Sequence, residues 1–253
     1  MSHLYWLDEV HLKRIQHLFP KPRDVARVND RRVLSGIIHV IRNGLRWRDA
    51  PSDYGPHKTV YNRFVRWSQM GVFARILTEL AAQGNATGTL MIDATHLKTH
   101  RTASSMGLKR GRGRLIGSTK GGMNSKLHAV TDALGRPIQL FLTAGNVSDY
   151  IGARALLPSL PTANWMLADR GYDADWFRER LKERCIPSRR NRKDIIPHDT
   201  KVYRSRHKIE NMFGRLKDWR RVATRYDRCP IIFLSAIALA ATVLFWLRVQ
   251  TLA

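Results

Sequence analysis

Three acidic residues stand where their side chains could act together on one substrate. Asp93 and Asp169 each end a short apolar run that predicts a β-strand, and Glu210 lies in the segment YRSRHKIENMFGRLK, residues 203–217. Open α/β sheets place their functional sites at the carboxyl ends of strands. We therefore expect the two aspartates at one sheet edge, with the glutamate brought to them by a helix.

Three carboxylates held together repel one another, and the pKa of at least one of them is expected to rise. Divalent cations remove this conflict, because carboxylate, water and phosphate oxygens are the ligands that Mg²⁺ accepts. Two such ions about 3.5–4 Å apart activate a water or a 3′-hydroxyl on one side of a phosphodiester and stabilise the leaving oxygen on the other. The acids therefore predict metal-dependent phosphodiester chemistry.

The segment 203–217 has the periodicity of a single helix. At 100° per residue, Tyr203, Arg206, Glu210 and Lys217 fall within an arc of about 60°. A separate apolar stripe beside this arc is expected to pack on the core: Ile209, Met212, Phe213 and Leu216. A plainer interpretation of the polar arc is a solvated face with an i,i+4 ion pair between Arg206 and Glu210.

The composition indicates a globular protein with an anionic partner. The chain has 253 residues, of which 43% are apolar, enough for one large or two smaller cores. Lysine and arginine total 44 against 20 acidic residues, a net charge of +24. Because such a charge repels itself in a compact body, we expect it to face nucleic acid, with an anionic membrane surface as the competing partner.

Other features of the composition point to the cytoplasm. Cys185 and Cys229 form neither a disulfide framework nor a zinc-ligand cluster, as suits a reducing compartment. The N-terminal residues lack the pattern of a signal peptide, so we do not expect export. Residues 231–247 are apolar but lie at the lower limit of length for crossing a bilayer. We expect them to form a buried helix, and we expect no membrane association.

The first part of the chain, residues 1–85, is predicted to be a small all-α domain. Apolar spacing and turn signals indicate four short helices, the second running from a cap at Asn29 or Asp30 to Gly44. The third is expected to turn Arg63 and Arg66 outward. Short helices, tight turns and arginines resemble a helix-turn-helix DNA-binding module, although an ordinary helical bundle with solvated arginines fits the same pattern.

The second part, residues 86–253, changes to a pattern of alternating strands and helices. A glycine-rich basic stretch, residues 101–122, predicts a mobile loop in which Lys120 contacts phosphate. Two extended runs joined at Gly135 predict a hairpin, and further strands are expected to end at Asp169 and to cover residues 186–188. The order of elements predicts a mixed sheet with helices on its faces.

Several polar residues in this part have structural explanations. We expect Asp132 to lie in the hairpin turn, and Asp149 and Asp173 to cap helices. His96 and His128 are placed where they could approach the metal ions, but neither has zinc spacing, and we interpret both as structural. The tryptophans are expected in the core rather than in stacks with bases.

The motifs around the acids resemble those of the DDE transposases of bacterial insertion sequences, in particular the Insertion Sequence 5 family. The similar stretches are MIDATHLK around Asp93, TKGGMNSKLHAVTDALGRP, TAGNVSDY, LADRGYDAD around Asp169, and YRSRHKIENMFGRLKDWRRVATRYDR around Glu210. The last contains the family's Tyr-x2-Arg-x3-Glu-x6-Lys signature. The stretch RVNDRRVLSGIIHVIRNGLRWRDAP resembles the family's helical leader, so the resemblance spans nearly the whole chain.

This resemblance implies a ribonuclease H-like catalytic domain after the helical domain. Asp93, Asp169 and Glu210 become the catalytic acids that bind two Mg²⁺ ions, for which Mn²⁺ is expected to substitute. The expected partners are double-stranded DNA, as terminal inverted repeats and as target, and further copies of the chain in a dimer or larger assembly. We expect the enzyme in the bacterial cytoplasm, associated with the nucleoid.

The resemblance and the charge pattern together imply a set of DNA contacts. They are expected from Tyr203, Arg206, Lys217, Arg63, Arg66, Lys120, Arg220 and Arg221. The main alternative is a DNA-binding regulator derived from a transposase that no longer catalyses, and the three intact acids favour the enzyme.

Overall fold

The computed structural model describes residues 3–20, 29–84, 88–104, 113–161, 163–181 and 183–247. Its first part is helical, as predicted. The helices there are α1 (Glu9–Ile15), α2 (Asp30–Asn43), α3 (His57–Gln69) and α4 (Val72–Ala82).

Both ends of α2 form where the sequence signals them. The Asn29 side chain caps the first turn by accepting a hydrogen bond from the backbone N–H of Arg31 at 2.8 Å. Gly44 ends the helix with φ of 73°, a left-handed conformation that glycine adopts without steric cost. The prediction for this helix is confirmed.

The second part contains a mixed sheet. Its strands in the described ranges are β1 (Thr89–Thr99), β2 (Gly117–Thr119), β3 (Gly122–Thr131), β4 (Pro137–Ala144), β5 (Trp165–Leu167), β6 (Glu183–Cys185) and β7 (Thr224–Arg225). Its helices there are α5 (Arg101–Ser104), α6 (Asp149–Leu156), α7 (Asp175–Glu179), α8 (Thr200–Arg204), α9 (His207–Lys217), α10 (Arg220–Ala223) and α11 (Pro230–Ala241), which continues as a π-helical segment (Thr242–Leu247).

The strand order is that of a ribonuclease H-like sheet. β3 pairs antiparallel with both β1 and β4, while β1 pairs parallel with β5, and β5 parallel with β6. The path is therefore β4-β3-β1-β5-β6, with β3 running against the other four strands. Short strands extend one end of this sheet, because β2 pairs with β3, and β7 with β1. The predicted fold class is confirmed.

The hairpin of β3 and β4 forms as predicted. Gly135 has a positive φ of 79° in its turn. Asp132 accepts hydrogen bonds from the backbone N–H groups of Leu134 and Arg136, both at 2.9 Å. The predicted turn role of Asp132 is confirmed.

Three predicted boundaries are corrected. β1 is longer than expected and runs past Asp93 to Thr99. β6 ends at Cys185, so the strand expected over residues 186–188 lies three residues earlier. The stretch 101–122 is not wholly a loop, because it contains α5 and β2; residues 105–112, its basic centre, lie outside the described residues.

The predicted single helix over residues 203–217 is two helices. α8 ends at Arg204 and α9 begins at His207. The Ser205 hydroxyl donates to the carbonyl of Val202 at 2.7 Å, and the Arg206 N–H donates to the carbonyl of Tyr203, three residues back. Local side-chain bonding of this kind competes with the helical ladder and tightens the last turn. The apolar stripe of α9 is nevertheless buried as predicted.

The apolar helix near the end of the sequence is a core element. Pro230–Leu247 is long and apolar enough to cross a membrane, but 78% of it is buried inside the fold. α11 packs on α2, α3 and α4 and also on β4. The prediction of a buried helix is confirmed, and the helical layer is held to the sheet by this element. A division into separate domains at residues 85 and 86 stays a prediction.

Candidate active site

A guanidinium group joins two of the three predicted acids. Arg206 donates from Nη1 to Asp93 Oδ2 at 2.7 Å and from Nη2 to Glu210 Oε1. The Asp93 carboxylate is mostly buried, whereas the Glu210 side chain is 54% exposed. The i,i+4 ion pair expected within this segment therefore forms, and the same arginine extends it to the sheet.

The third acid is placed beside the first by strand register. Met91 on β1 pairs with Leu167 on β5 in parallel, so Asp93 and Asp169 each stand two residues beyond this last pair. Asp169 caps the short 3₁₀ turn of Arg170–Tyr172, and its Oδ1 accepts from the Gly171 N–H at 2.8 Å. Asp93 is not at the end of its own strand, but it lies past the end of the neighbouring strand.

The electrostatics of the site reflect this proximity. Burial raises the pKa of Asp93 to about 6, with a further increase from the charge of Asp169, while Arg206 acts in the opposite direction. Burial also raises the pKa of Asp169, again against Arg206. Burial lowers the pKa of Arg206 itself, but the carboxylates, Asp93 foremost, raise it overall. The three side chains thus form one coupled cluster.

A second cation reaches the same face of β1 from α9. Lys217 Nζ donates to Thr95 Oγ1 at 2.7 Å. Thr95 is two residues after Asp93 and therefore lies on the same side of the strand. Burial lowers the pKa of the Lys217 ammonium. Arg206 and Lys217 thus lie at opposite ends of α9. Arg206 contacts Asp93, and Lys217 contacts Thr95 on the same face of the strand.

Tyr203 lies beside this cluster although it belongs to α8. The Arg206 guanidinium carbon lies 5.8 Å from the centroid of its ring. Burial raises the pKa of the Tyr203 hydroxyl. Tyr203, Arg206 and Glu210 are therefore adjacent in space, although one helix does not carry all three, and Lys217 contacts the same strand at Thr95.

The donor set suits a hard divalent cation, because all three acids offer carboxylate oxygens. Divalent-metal dependence is a general property of the DDE class implied by these motifs. In the part of the chain that is described, however, no three His, Cys, Asp or Glu side chains are arranged to hold a metal ion. The Arg206 guanidinium lies between Asp93 and Glu210 and takes one oxygen of each carboxylate.

The other predicted DNA contacts divide into surface and interior groups. Arg66 and Arg220 are exposed, as is Lys120 in the turn between β2 and β3. Arg63 does not face outward as expected, because it is half-buried, donates to Asp30 Oδ1 at 2.9 Å and lies 5.3 Å from the ring centroid of Trp67. The predicted outward position of Arg63 is thus wrong.

Arg221 is a second correction, because it lies inside the fold. It is 6% exposed and donates to the carbonyl of Leu45 and to Asp227 Oδ1, both at 3.0 Å. Arg225, four residues later, is also buried and donates to Ser125 Oγ at 2.6 Å. Residues 217–228 are rich in cations, but they do not form a continuous exposed run, because Arg221 and Arg225 are buried.

Two aspartates expected as helix caps have other roles. The cap of α6 is Ser148, and Asp149 instead accepts from Lys126 Nζ at 2.9 Å. Asp173 is buried before α7 and accepts from Arg178 Nε at 2.7 Å and from Arg192 Nη1 at 2.8 Å. Asp149 is the first residue of α6 and Asp173 lies two residues before α7, positions typical of caps, whereas Lys126 and Arg192 bind them from 23 and 19 positions away.

The histidines are structural, as interpreted. His96 and His128 lie on the face of the sheet opposite Asp93, as the pairing of Ala94 with His128 requires. His96 contacts the carbonyl of Gly145 at 3.0 Å, and His128 is buried with Nε2 at 2.9 Å from Thr143 Oγ1. Trp67 is fully buried, as predicted for the core.

Two further residues at the site, Thr95 and Tyr172, were not predicted from the motifs. Thr95 could have been found from its two-residue spacing after Asp93. Tyr172 is buried, and its hydroxyl has no hydrogen-bond partner among the described residues. Burial raises the pKa of this hydroxyl well above its usual range, with further contributions from Asp149, Asp93 and Asp169. Tyr172 lies in the LADRGYDAD stretch, three residues after Asp169, so its position in that motif was the available signal.

Comparison with known proteins identifies the family of the chain. Residues 85–245 match the family described as "Transposase DDE domain", and residues 7–77 match "Putative transposase of IS4/5 family". The chain is 36% identical over 131 residues to the "putative transposase for insertion sequence element IS6501" of Brucella ovis, covering 50% of this chain and 100% of the relative.

Two more distant similarities were found. The "putative transposase for insertion sequence element IS402" of Burkholderia cepacia is 29% identical over 134 residues, covering 48% of this chain and 63% of the relative. The similarity to the solved "Mos1 transposase paired-end complex with left transposon end" covers 80% of this chain and 82% of that chain at 12% identity, with a TM-score of 0.24. From the family matches, the chain belongs to the DDE transposases, enzymes that act on DNA, and carries the N-terminal region of the IS4/5 family.

Proposed function

We propose that the chain cleaves the ends of a mobile element and joins the freed 3′-hydroxyl to target DNA, with Asp93, Asp169 and Glu210 as the catalytic acids. One observation carries this proposal: Asp93 and Glu210 bind the same guanidinium, and Asp169 stands in register with Asp93 on the neighbouring strand. Acids from three separate elements thus lie around one arginine, which supports the proposal over a merely solvated helix face.

The three acids are the proposed metal ligands. Held by these carboxylates, two Mg²⁺ ions, or Mn²⁺ in their place, would supply Lewis-acid activation of the attacking oxygen and charge stabilisation at the leaving oxygen. The chain contributes the geometry. Asp93 and Asp169 are fixed by the sheet, while Glu210 is oriented by the buried stripe of α9. Water first hydrolyses the phosphodiester and the 3′-hydroxyl then attacks target DNA in line, so no covalent protein intermediate is required.

The cations around the acids are the proposed DNA contacts. Arg206 and Lys217 flank the acids on α9, and either can bind a phosphate by exchanging its protein partner for phosphate oxygens. Tyr203 supports Arg206 through its ring. Arg66, Lys120 and Arg220 are exposed and available to bind the backbone of terminal repeats or target. Arg221 is buried in an ion pair and is not proposed as a contact.

The assembly and its location follow from the reaction. Two element ends have to be held together, so we propose a dimer or larger assembly on DNA. A protein of net charge +24 that acts on DNA is expected in the cytoplasm, associated with the nucleoid. The intact acids support this enzyme over a regulator that only binds DNA.

A strand-transfer assay tests the catalytic assignment. DNA with the terminal repeats of the element is incubated with target DNA, Mg²⁺ and protein, and nicked and joined products are measured. Asp93→Asn, Asp169→Asn and Glu210→Gln should each abolish both products while leaving DNA binding intact. Asp218→Asn, an exposed acid next to α9, is the matched control and should retain activity. Full activity in any of the three triad variants contradicts the assignment of that residue.

A further inference from the structure

A closed basic loop connects β6 to α8. Residues 188–196, the strap, are joined at their ends by one side chain, because Ser188 Oγ donates to the carbonyl of Ile196 at 3.2 Å and accepts its N–H at 2.9 Å. Four of these nine residues are arginine or lysine and one is acidic. Like charges so close together repel one another, so such a loop is stable only where carboxylates of the protein or an external anion offset the charge.

The strap lies against the turn that carries Asp169. β6 neighbours β5 in the sheet, and its last residue, Cys185, pairs with Leu167 two residues before Asp169. Beyond the strands, Arg189 Nη2 donates to the carbonyl of Gly171 at 3.2 Å, while the Gly171 N–H donates to Asp169 Oδ1 at 2.8 Å. One residue therefore links the strap to a proposed catalytic acid.

A buried carboxylate, Asp173, fixes the strap in this position. Its Oδ1 accepts from Arg192 Nη1 and its Oδ2 from the backbone N–H of Arg189, both at 2.8 Å. Arg178 Nε of α7 donates to the same Oδ1 at 2.7 Å, and the Asp173 side chain is fully buried. Although burial opposes its ionisation, these hydrogen bonds and cations lower the pKa of Asp173 overall. The carboxylate thus holds two strap residues from inside the fold.

Asp173 divides the cations of the strap into two sets. Arg189 and Arg192 bond inward to the fold. Arg190 and Lys193 are exposed, and neither makes an ion pair or a side-chain hydrogen bond among the described residues. Each exposed cation directly follows an anchored one, so its backbone position is set before any anion arrives. Such preorganisation reduces the entropy that is lost on binding.

We propose that Arg190 and Lys193 bind phosphates of the DNA strand beside the cleaved bond, and that Asp173 is a positioning residue that holds the strap there; the inference rests on the proposed function. β6 lies two strands from β1, about 10 Å across the sheet. The strap therefore begins within a few nucleotides of a phosphodiester held at Asp93. Arginine and lysine commonly contact the DNA backbone. An acidic protein segment would attract the same cations, but only DNA has to pass the acids for the reaction to occur.

The salt dependence of DNA binding tests the two contacts. The affinity for the duplex of the strand-transfer assay is measured by fluorescence anisotropy, without divalent metal, between about 50 and 200 mM salt. Each phosphate contact contributes about 0.9 to the slope of log affinity against log salt. Arg190→Gln and Lys193→Gln should therefore each reduce the slope by about 0.9, and the double variant by about 1.8. Lys13→Gln, the same charge change at an exposed position of α1, should leave the slope unchanged.

A double-mutant cycle tests the role of Asp173. Asp173→Asn keeps the size of the side chain but releases the strap, and it should weaken DNA binding about tenfold or more, as the double variant of the strap does. Because Asp173 acts through the strap, adding Asp173→Asn to that double variant should cost little further affinity, whereas a merely structural role predicts losses that multiply. Circular dichroism shows whether Asp173→Asn folds, and Arg192→Gln takes its place in the cycle if it does not.

The strap is overturned as a DNA contact if Arg190→Gln and Lys193→Gln bind DNA like Lys13→Gln. The same holds if they change the mass of the protein assembly in sedimentation but not its affinity for DNA. Losses that multiply overturn the positioning role of Asp173. These results are distinguishable from failure of the proposed function, because Asp93→Asn should bind DNA with the wild-type slope without cleaving it. A protein that binds through the strap but does not cleave contradicts the catalytic assignment instead.

Discussion

Arg206 Nη1 lies 2.7 Å from Asp93 Oδ2, so a cation of the protein itself neutralises a proposed metal ligand. The same guanidinium binds Glu210. A metal ion and a guanidinium therefore compete for the negative charge of these carboxylates. DNA phosphate is the natural alternative partner for the arginine, and its arrival would leave the acids to the metal.

Arg206→Gln is therefore expected to bind Mn²⁺ several times more tightly than wild type in the absence of DNA. Removing the guanidinium takes away the competitor and leaves the acids with more uncompensated negative charge. Isothermal titration calorimetry measures the affinity directly. Arg215→Gln, which removes a cation from the same helix where it contacts Phe245, is the control. Equal affinities in the two variants contradict competition by Arg206.

His128 predicts an acid sensitivity that is independent of the acids. Burial lowers its pKa to about 4 from an ordinary value of 6.5. The unfolded chain binds a proton between these values while the folded chain does not, so the stability contributed by neutral His128 is complete above pH 6.5 and is lost as the pH falls to 4. The loss amounts to about 3 kcal/mol.

Urea unfolding of wild type and His128→Gln between pH 7 and pH 4 measures this contribution. The free energy of unfolding of the variant should fall by about 3 kcal/mol less than that of wild type over this range, since all other groups titrate in both proteins. His207→Gln, at an exposed position, should follow wild type. If the free energy of unfolding falls equally with pH in wild type and in His128→Gln, burial does not lower the pKa of His128.

Two glycines should respond in opposite ways to alanine. A Cβ on Gly152 in α6 would lie 2.0 Å from Nδ1 of the buried His128 ring, whereas a Cβ on Gly214 in α9 meets nothing within 4 Å. Gly152→Ala should destabilise the fold by about 2–3 kcal/mol through overpacking. Gly214→Ala should stabilise it by about 0.5–1 kcal/mol through helix propensity. Chemical denaturation measures both, and destabilisation by Gly214→Ala would contradict the open space around it.

Phe213 should matter for cleavage beyond its effect on stability. It is buried on α9 one turn from Glu210, so its loss frees the helix to shift the carboxylate. Phe213→Ala is expected to lower the free energy of unfolding by about 3–5 kcal/mol and to reduce DNA cleavage at least tenfold at a temperature where the variant remains folded. Phe73→Ala in α4 has a similar cavity cost away from the acids and is the control. Equal cleavage by the two variants would contradict the coupling between Phe213 and the position of Glu210.

Local sequence signals predicted those parts of the fold that depend on local interactions. The ends of α2, the hairpin turn at Gly135 and the buried stripe of α9 each follow from neighbouring residues. The break between α8 and α9 was not predicted, because it depends on a hydrogen bond from the Ser205 hydroxyl to a backbone carbonyl. Helical periodicity contains no information about this hydrogen bond.

The candidate site was predictable in its members but not in its contacts. Asp93 and Arg206 are separated by 113 positions, and only the sheet and α9 together bring them within hydrogen-bond distance. The burial of Arg221 depends likewise on the carbonyl of Leu45, 176 positions away. The sequence does not show whether a charged side chain will contact solvent, phosphate or a distant side chain, because tertiary packing determines its partner.

The position of α11 in the chain has a consequence for synthesis. This helix completes the packing beneath α2, α3 and α4, yet it is translated after the entire sheet. On the ribosome, the helices made first therefore expose apolar faces until the residues of α11 emerge from the exit tunnel. A nascent transposase is expected to complete its core only late in translation, and a messenger truncated before α11 would yield a chain prone to aggregation rather than a free DNA-binding fragment.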